Sequence, residues 1–401
     1  MSAEAEARRS ALIYASAMAI VGSAAPICIS MGALAGHYLL DADKSLASLP
    51  VTGFNVGVAL GALPAAALLR GAGQRGGFML GTVVTALGGA VAALGLFQAS
   101  FWLFAAGLMI VGLGGAFVQQ LRFAAADNAP AAFKARAISF VLAGGVVTAI
   151  LGPQIVIFTR NLFEPVQFAG AFAAIVGLAA VGAIILSRLP ARATVVAGAA
   201  DDAPARPLSQ IIAQPRFAVA MLCGVSTYAL MSFVMTGAPL AMVGCGFTPE
   251  EATLGISWHV IAMFAPSFVT GRLITRFGAE RIIAAGLVLL VGCAIVALSG
   301  IALWQFWTAL ILLGLGWNFG FIGSTAIVAQ SYRPSEKGRA QGFHDFVLFS
   351  SVAFGSLMSG VTYNLWGWDM LNWIVFPVVV LSFVALGLLA MARRRPDPVA
   401  S

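Results

Sequence analysis

Apolar runs near or above twenty residues recur along this chain with polar or basic breaks between them, and that recurrence leaves few folds open. Crossing a hydrocarbon core of about 30 Å takes roughly twenty residues of α-helix, because a backbone in lipid must satisfy its own hydrogen bonds. Twelve such spans are expected, at about 11–36, 48–69, 77–98, 101–121, 137–158, 167–187, 217–243, 253–274, 282–301, 304–329, 342–364 and 370–391. Only 9% of the residues are charged, against about 25% in an ordinary soluble domain. The reading is an all-α membrane protein with twelve transmembrane helices.

Lys and Arg accumulate in cytoplasmic loops of membrane proteins. With the N-terminus inside, 20 of the 22 Lys and Arg fall on one side, and only Lys44 and Arg160 fall on the other. Both termini are therefore expected in the cytoplasm. The opposite loops hold Asp41, Asp43, Glu164, Glu250, Glu251 and Asp369 as a sparse acidic rim. The net charge of +7 thus reports topology, so the expected partner is the lipid bilayer and nucleic acid is not one. Arg8-Arg9 and the apolar run behind it read as the first helix instead of a secretion signal, since the run continues to about residue 36 and eleven more follow.

The stretch 189–215 is polar and rich in Pro and Ala, which reads as a cytoplasmic linker between two six-helix halves, 1–188 and 216–401. The halves repeat one another. Gly112-Leu-Gly114-Gly-Ala-Phe117 matches Gly314-Leu-Gly316-Trp-Asn-Phe319, and Lys134-Ala-Arg136-Ala-Ile-Ser-Phe140 matches Lys337-Gly-Arg339-Ala-Gln-Gly-Phe343 at nearly the same offset. Two matches at one offset imply a parallel duplication.

Gly271-Arg-Leu-Ile-Thr275-Arg276-Phe-Gly278-Ala-Glu-Arg281 lies between the eighth and ninth spans. It resembles the cytoplasmic loop signature of the major facilitator superfamily, with Thr275 where an acid usually stands. Twelve spans, two parallel halves and a long central linker resemble that superfamily as well. The resemblance implies the major facilitator fold and a transporter, and it says little about substrate.

Polar and ligand-type groups inside the spans carry the substrate argument, because they are costly there without a task. No Lys or Arg is expected deep in a helix, Arg122 lying at most at a cytoplasmic end, so an anionic substrate lacks its usual clamp. What remains is His259, the pair His344-Asp345, and methionines. Met231 and Met235 share one face of the seventh span, and His259 and Met263 share one face of the eighth. The two pairs sit at similar depths on consecutive antiparallel helices, so they form a candidate site of three thioethers and one imidazole. That donor set suits copper(I). Four neutral ligands leave the ion charged, and an inside-negative potential of 100 mV then favours inward movement by about 2.3 kcal/mol.

The same conjunction resembles the CcoA-like bacterial copper importers, which supply copper for assembly of the cbb-type cytochrome c oxidase. Their Met-x-x-x-Met in the seventh helix and His-x-x-x-Met in the eighth fall on Met231, Met235, His259 and Met263. The branch also carries cysteines flanking the seventh helix, matched here by Cys223 and Cys245 as a possible relay. These two are separated by about 33 Å of helix, so they are not expected to pair.

The resemblance implies copper import across the bacterial inner membrane into the cytoplasm by alternating access, with copper as cargo and no cofactor, and with a cytoplasmic or membrane copper acceptor beyond it. Two alternatives stay open. One is a proton-coupled transporter of small organic or amphipathic compounds, with His344 and Asp345 as coupling or gate residues and the methionines as apolar lining. The other is a copper sensor or assembly factor that moves nothing. No nucleophile–base set, phosphate loop or dinucleotide fingerprint points to an enzyme.

Overall fold

The computed structural model describes residues 3–41, 43–130, 133–190 and 206–394. Among the described residues every regular element is a helix: α1 Ala3–Val21, α2 Ala24–Leu39, α3 Leu49–Gly71, α4 Gly73–Phe97, α5 Phe101–Asp127, α6 Lys134–Thr159, α7 Ala169–Leu186, α8 Leu208–Ile212, α9 Pro215–Gly244, α10 Pro249–Phe264, α11 Ser267–Phe277, α12 Ala279–Leu298, α13 Leu303–Ala329, α14 Lys337–Trp373 and α15 Val375–Arg394, with one short 3₁₀ turn at Pro334–Glu336.

These helices make twelve crossings. Ten segments are long and apolar enough to span a bilayer, and α10 with α11 adds another as a pair bent by 41°. The last segment, Arg339–Ala392, has 54 residues. As one straight helix it would run about 80 Å, more than twice the hydrocarbon core. The chain instead turns back at Gly367, whose φ of 76° no β-carbon-bearing residue adopts without strain. That division gives the eleventh and twelfth crossings, and all twelve fall on the apolar runs of the sequence.

Prolines explain two of the breaks. Pro26 lacks an N–H and its ring collides with the carbonyl one turn back, so the first crossing is interrupted at Gly22–Ser23 between α1 and α2. Near that break the Thr148 hydroxyl of α6 donates to the Met18 carbonyl at 2.9 Å. Pro266 has the same effect between α10 and α11, where Asn318 of α13 donates to the Met263 carbonyl at 2.7 Å and to Ser267 Oγ at 2.7 Å. The Met263 carbonyl at the second break is thus met by a neighbouring helix, while the Met18 carbonyl at the first accepts the Gly22 N–H as well as the Thr148 hydroxyl.

The duplicated Gly-Leu-Gly strings have a shared packing role. A β-carbon on Gly112 would collide with the Phe54 carbonyl of the second crossing, and one on Gly314 would collide with the His259 carbonyl of the eighth. Two residues later, Gly114 faces Thr85 of the third crossing and Gly316 faces Leu290 of the ninth. The fourth and tenth crossings therefore use the same two glycines to seat the same two neighbours in each half. Small residues at such positions let helix backbones approach closely in a membrane.

Of the expected linker 189–215, residues 191–205 lie outside the described residues. The stretch that follows is docked on the second half. Arg206 donates through Nε and Nη2 to the Glu336 carboxylate, both at 2.7 Å, and Ile211 of α8 is fully buried. The Arg206 guanidinium holds the Glu336 carboxyl well below the usual carboxylate range.

Candidate functional site between the two halves

The halves meet along α3 with α14 and along α6 with α10. On the face opposite the linker they are tied together. Ser48, just before α3, donates to the Leu357 carbonyl of α14 and accepts from the Gly360 N–H, each at 3.2 Å. Ser257 of α10 donates to the Ala149 carbonyl of α6 at 2.5 Å, and Arg160 pairs with Glu250 across the ends of the same two helices on that face.

Deeper in, near the helix midpoints, the second half presents an aromatic cluster. Tyr228 of α9 stands edge-on to Trp317 and Phe321 of α13, with centroids 5.3 and 5.0 Å away, and Trp317 and Phe321 stack at 5.1 Å with planes 21° apart. Phe349 of α14 approaches Tyr228 at 6.2 Å, and Phe264 of α10 approaches Trp317 at 6.3 Å. These spacings are those of favourable aromatic pairs.

The cluster reaches the first half. Phe349 packs against the first-half core, and Phe264 lies over Gly145 of α6, where an added β-carbon would sit 3.3 Å from its ring. Arg122 of α5 comes within electrostatic reach of Tyr228 and Asp345. Arg122 Nε and Trp317 Nε1 are both shielded from solvent without a protein partner among the described residues. Buried donors are normally satisfied. Stacking faces with two unspent N–H groups can hold a flat, aromatic solute that carries hydrogen-bond acceptors.

The residues singled out from sequence sit nearby in a different role. Met231, Met235 and Met263 are 2, 5 and 8% exposed and belong to the second-half core. His259 is fully buried, and its Nδ1–H donates to the Leu310 carbonyl of α13 at 2.8 Å, so the ring is held by the tenth crossing; its Nε2 has no partner among the described residues. Cys223 is buried with its thiol 3.9 Å from the Ser382 carbonyl of α15, while Cys245 is exposed just beyond α9. Burial and the nearby Asp369 raise the Cys245 thiol above its ordinary value. His344 Nδ1 meets the Asp345 carboxylate at 3.0 Å, with Asp345 half exposed and His344 nearly buried.

Arg122 stands near the end of α5, which closes at Asp127, as expected; its guanidinium lies 4.8 Å over the Phe123 ring and within electrostatic reach of Tyr228 and Asp345. Sequence reasoning missed Tyr228, Phe264, Trp317, Phe321 and Phe349, because an aromatic in an apolar helix has the same hydropathy whether it packs or binds. One signal was present. The duplication places Trp317 opposite Gly115, so the second half carries the largest side chain where the first carries none.

The Major Facilitator Superfamily model matches residues 10–248 and 220–401. The riboflavin transporter RfnT of Brucella anthropi is 49% identical over 382 residues, covering 95% of each chain. Among solved structures, the D-xylose–proton symporter superposes with a TM-score of 0.65 at 12% identity over 96% of both chains. The human organic anion transporter MFSD10 does so with a TM-score of 0.66 at 18% identity, over 95% of this chain and 99% of that one. The relative of high identity is named for an organic solute, which favours the organic-solute alternative over the copper reading and leaves the likeness to CcoA-like importers without support from it. The match over nearly the whole chain, on a twelve-crossing duplicated scaffold, makes this protein a multi-pass membrane transporter of the Major Facilitator Superfamily.

Proposed function

We propose that this protein carries riboflavin, or a flavin closely similar to it, across the bacterial cytoplasmic membrane by alternating access, with its basic face in the cytoplasm. The observation that carries the reading is the aromatic cluster of Tyr228, Trp317 and Phe321 at mid-depth, where transporters of this build bind their solutes between the halves. A fused, planar ring system with carbonyl and ring-nitrogen acceptors matches stacking faces beside the unspent donors of Trp317 and Arg122. The 49% identity to a riboflavin transporter supports the same solute. His344 and Asp345 serve as the proton-coupling pair in this reading, since they form an ionisable pair inside a crossing, imidazole to carboxylate at 3.0 Å, within electrostatic reach of Arg122.

The test is uptake of radiolabelled riboflavin into vesicles holding the purified protein, with and without a pH gradient. Uptake that the gradient drives, and that Asp345→Asn uncouples, is expected. Absence of riboflavin flux and binding would overturn the reading. Copper import through Met231, Met235, His259 and Met263 is the second reading, favoured by the unpartnered Nε2 of His259. Copper flux in the same vesicles, lost in His259→Ala, would establish it, and copper binding without flux would point to a sensor.

A further inference from the structure

Away from the interface, α1 and the end of α7 enclose a groove of about 650 Å³ on the outer wall of the first half. Its basic end is formed by Arg8 and Arg9 of α1 and Arg188 just beyond α7, all exposed. Its other wall is apolar: Leu12, 45% exposed, with the half-buried Ile13 and Ile185. None of the described residues lining it is acidic.

The arrangement follows from helix geometry. Leu12 and Ile13 follow Arg8 and Arg9 by three to five residues, so the four share one side of α1 with the arginines one turn nearer the membrane surface. Ile185 and Arg188 repeat the order on α7, three residues apart, with the arginine again outermost. Both helices thus set guanidinium groups at headgroup level and aliphatic groups below them. Neither the aromatic cluster nor the outer ties of the transport path involves these residues.

We propose that this groove binds an anionic phospholipid of the leaflet on the basic face, with the phosphate held by Arg8, Arg9 and Arg188 and an acyl chain lying along Leu12, Ile13 and Ile185. Three guanidinium groups in a groove whose described lining holds no acidic residue attract phosphate oxygens and can hold them bidentately. Basic pockets between transmembrane helices are suited to such headgroups. The apolar wall continuous with the arginines selects a lipid over a free phosphate ion, which has nothing to place there. A volume of this size accepts a headgroup with the first part of a chain. The inference stands apart from the flavin reading and survives its failure.

Native mass spectrometry of the full-length protein, taken from nanodiscs of phosphatidylcholine mixed with a minor share of phosphatidylglycerol, reads the lipid that stays bound. Retention of phosphatidylglycerol over phosphatidylcholine is expected, falling about fivefold for each arginine replaced by glutamine. Because Arg8→Gln with Arg9→Gln also weakens the charge signal that orients the chain, Arg188→Gln alone serves as the second variant, and its fivefold loss must appear in protein with an unchanged elution volume. Lysine at all three positions keeps charge without the bidentate fork and is expected to retain an intermediate amount. Equal retention by the wild-type and Arg188→Gln proteins would overturn the proposal. So would thermal stabilisation in phosphatidylcholine discs by millimolar inorganic phosphate equal to that given by phosphatidylglycerol.

Discussion

Trp317 shows how one residue can turn a duplicated scaffold into an asymmetric one. Its counterpart Gly115 leaves only ordinary contacts with Phe54 and Val58, whereas Trp317 stacks on Phe321 and touches Tyr228 and Phe264. Removing an aromatic that stacks on a flat ring costs about 1–3 kcal/mol of binding, or roughly 5- to 150-fold in affinity. Trp317→Ala and Tyr228→Ala are each expected to raise the riboflavin KM within that range, measured by vesicle uptake, with Tyr228→Phe keeping most of the affinity. The methionines lead to the opposite expectation. Met231, Met235 and Met263 read as core residues, so Met235→Leu conserves volume and costs under about 1.5 kcal/mol of stability. Riboflavin uptake should stay within about twofold of wild type, and a tenfold loss would return Met235 to the transport path. Spacing alone could not separate these roles. Met-x-x-x-Met and His-x-x-x-Met put side chains on one helix face, but the bond from His259 to Leu310 across two helices has no trace in local sequence.

At the scale of the helices, hydropathy was a sufficient guide, because lipid leaves only one way to satisfy a spanning backbone. All twelve crossings were legible for that reason, whereas the parallel duplication was read from two pairs of matched strings at nearly one offset. The positions of the breaks were less so: Pro26 and Pro266 mark them, yet Pro64, Pro153 and Pro239 lie inside helices that continue through them. Whether a proline breaks a crossing depends on which neighbour can support the broken backbone, and Thr148 and Asn318, which bond the Met18 and Met263 carbonyls beside the breaks, come from helices distant in sequence. The glycine seats can be tested directly. Gly112→Val and Gly314→Val force the fourth crossing from the second and the tenth from the eighth, and each is expected to cost about 1–3 kcal/mol or more, read as a lowered Tm in detergent. The docked end of the linker has a pH signature. Glu336 titrates in the folded protein below its unfolded value of about 4.3, so its pairing with Arg206 stabilises fully above that pH and fades as pH falls toward the folded value. Glu336→Gln should therefore lower Tm at pH 7, with the gap to wild type narrowing as pH is brought down through 4.

For the molecule as a whole, the ties between the halves define which face is shut. Ser48 with Leu357 and Gly360, Ser257 with Ala149, and Arg160 with Glu250 all lie toward the face opposite the linker, so this conformation is closed there. Alternating access requires these ties to part while the arrangement around the solute persists, and a cycle that turns over needs each tie to be modest. The Arg160–Glu250 pair fits that need. Its side chains are 16 and 32% exposed, and partly exposed ion pairs contribute up to about 1 kcal/mol. Glu250→Gln removes the charge while keeping the shape, so it is expected to raise the outward-open population by about two- to fivefold without unfolding the protein. A cysteine placed at Ala149, with the exposed Cys245 replaced by serine in every protein compared, reads this on the Glu250→Gln background as faster labelling by a membrane-impermeant thiol reagent added on that face. Restoring an acid with Glu250→Asp should slow labelling again, whereas equal rates in wild type and Glu250→Gln would mean that the hydrogen bonds of Ser48 and Ser257 alone hold the face closed.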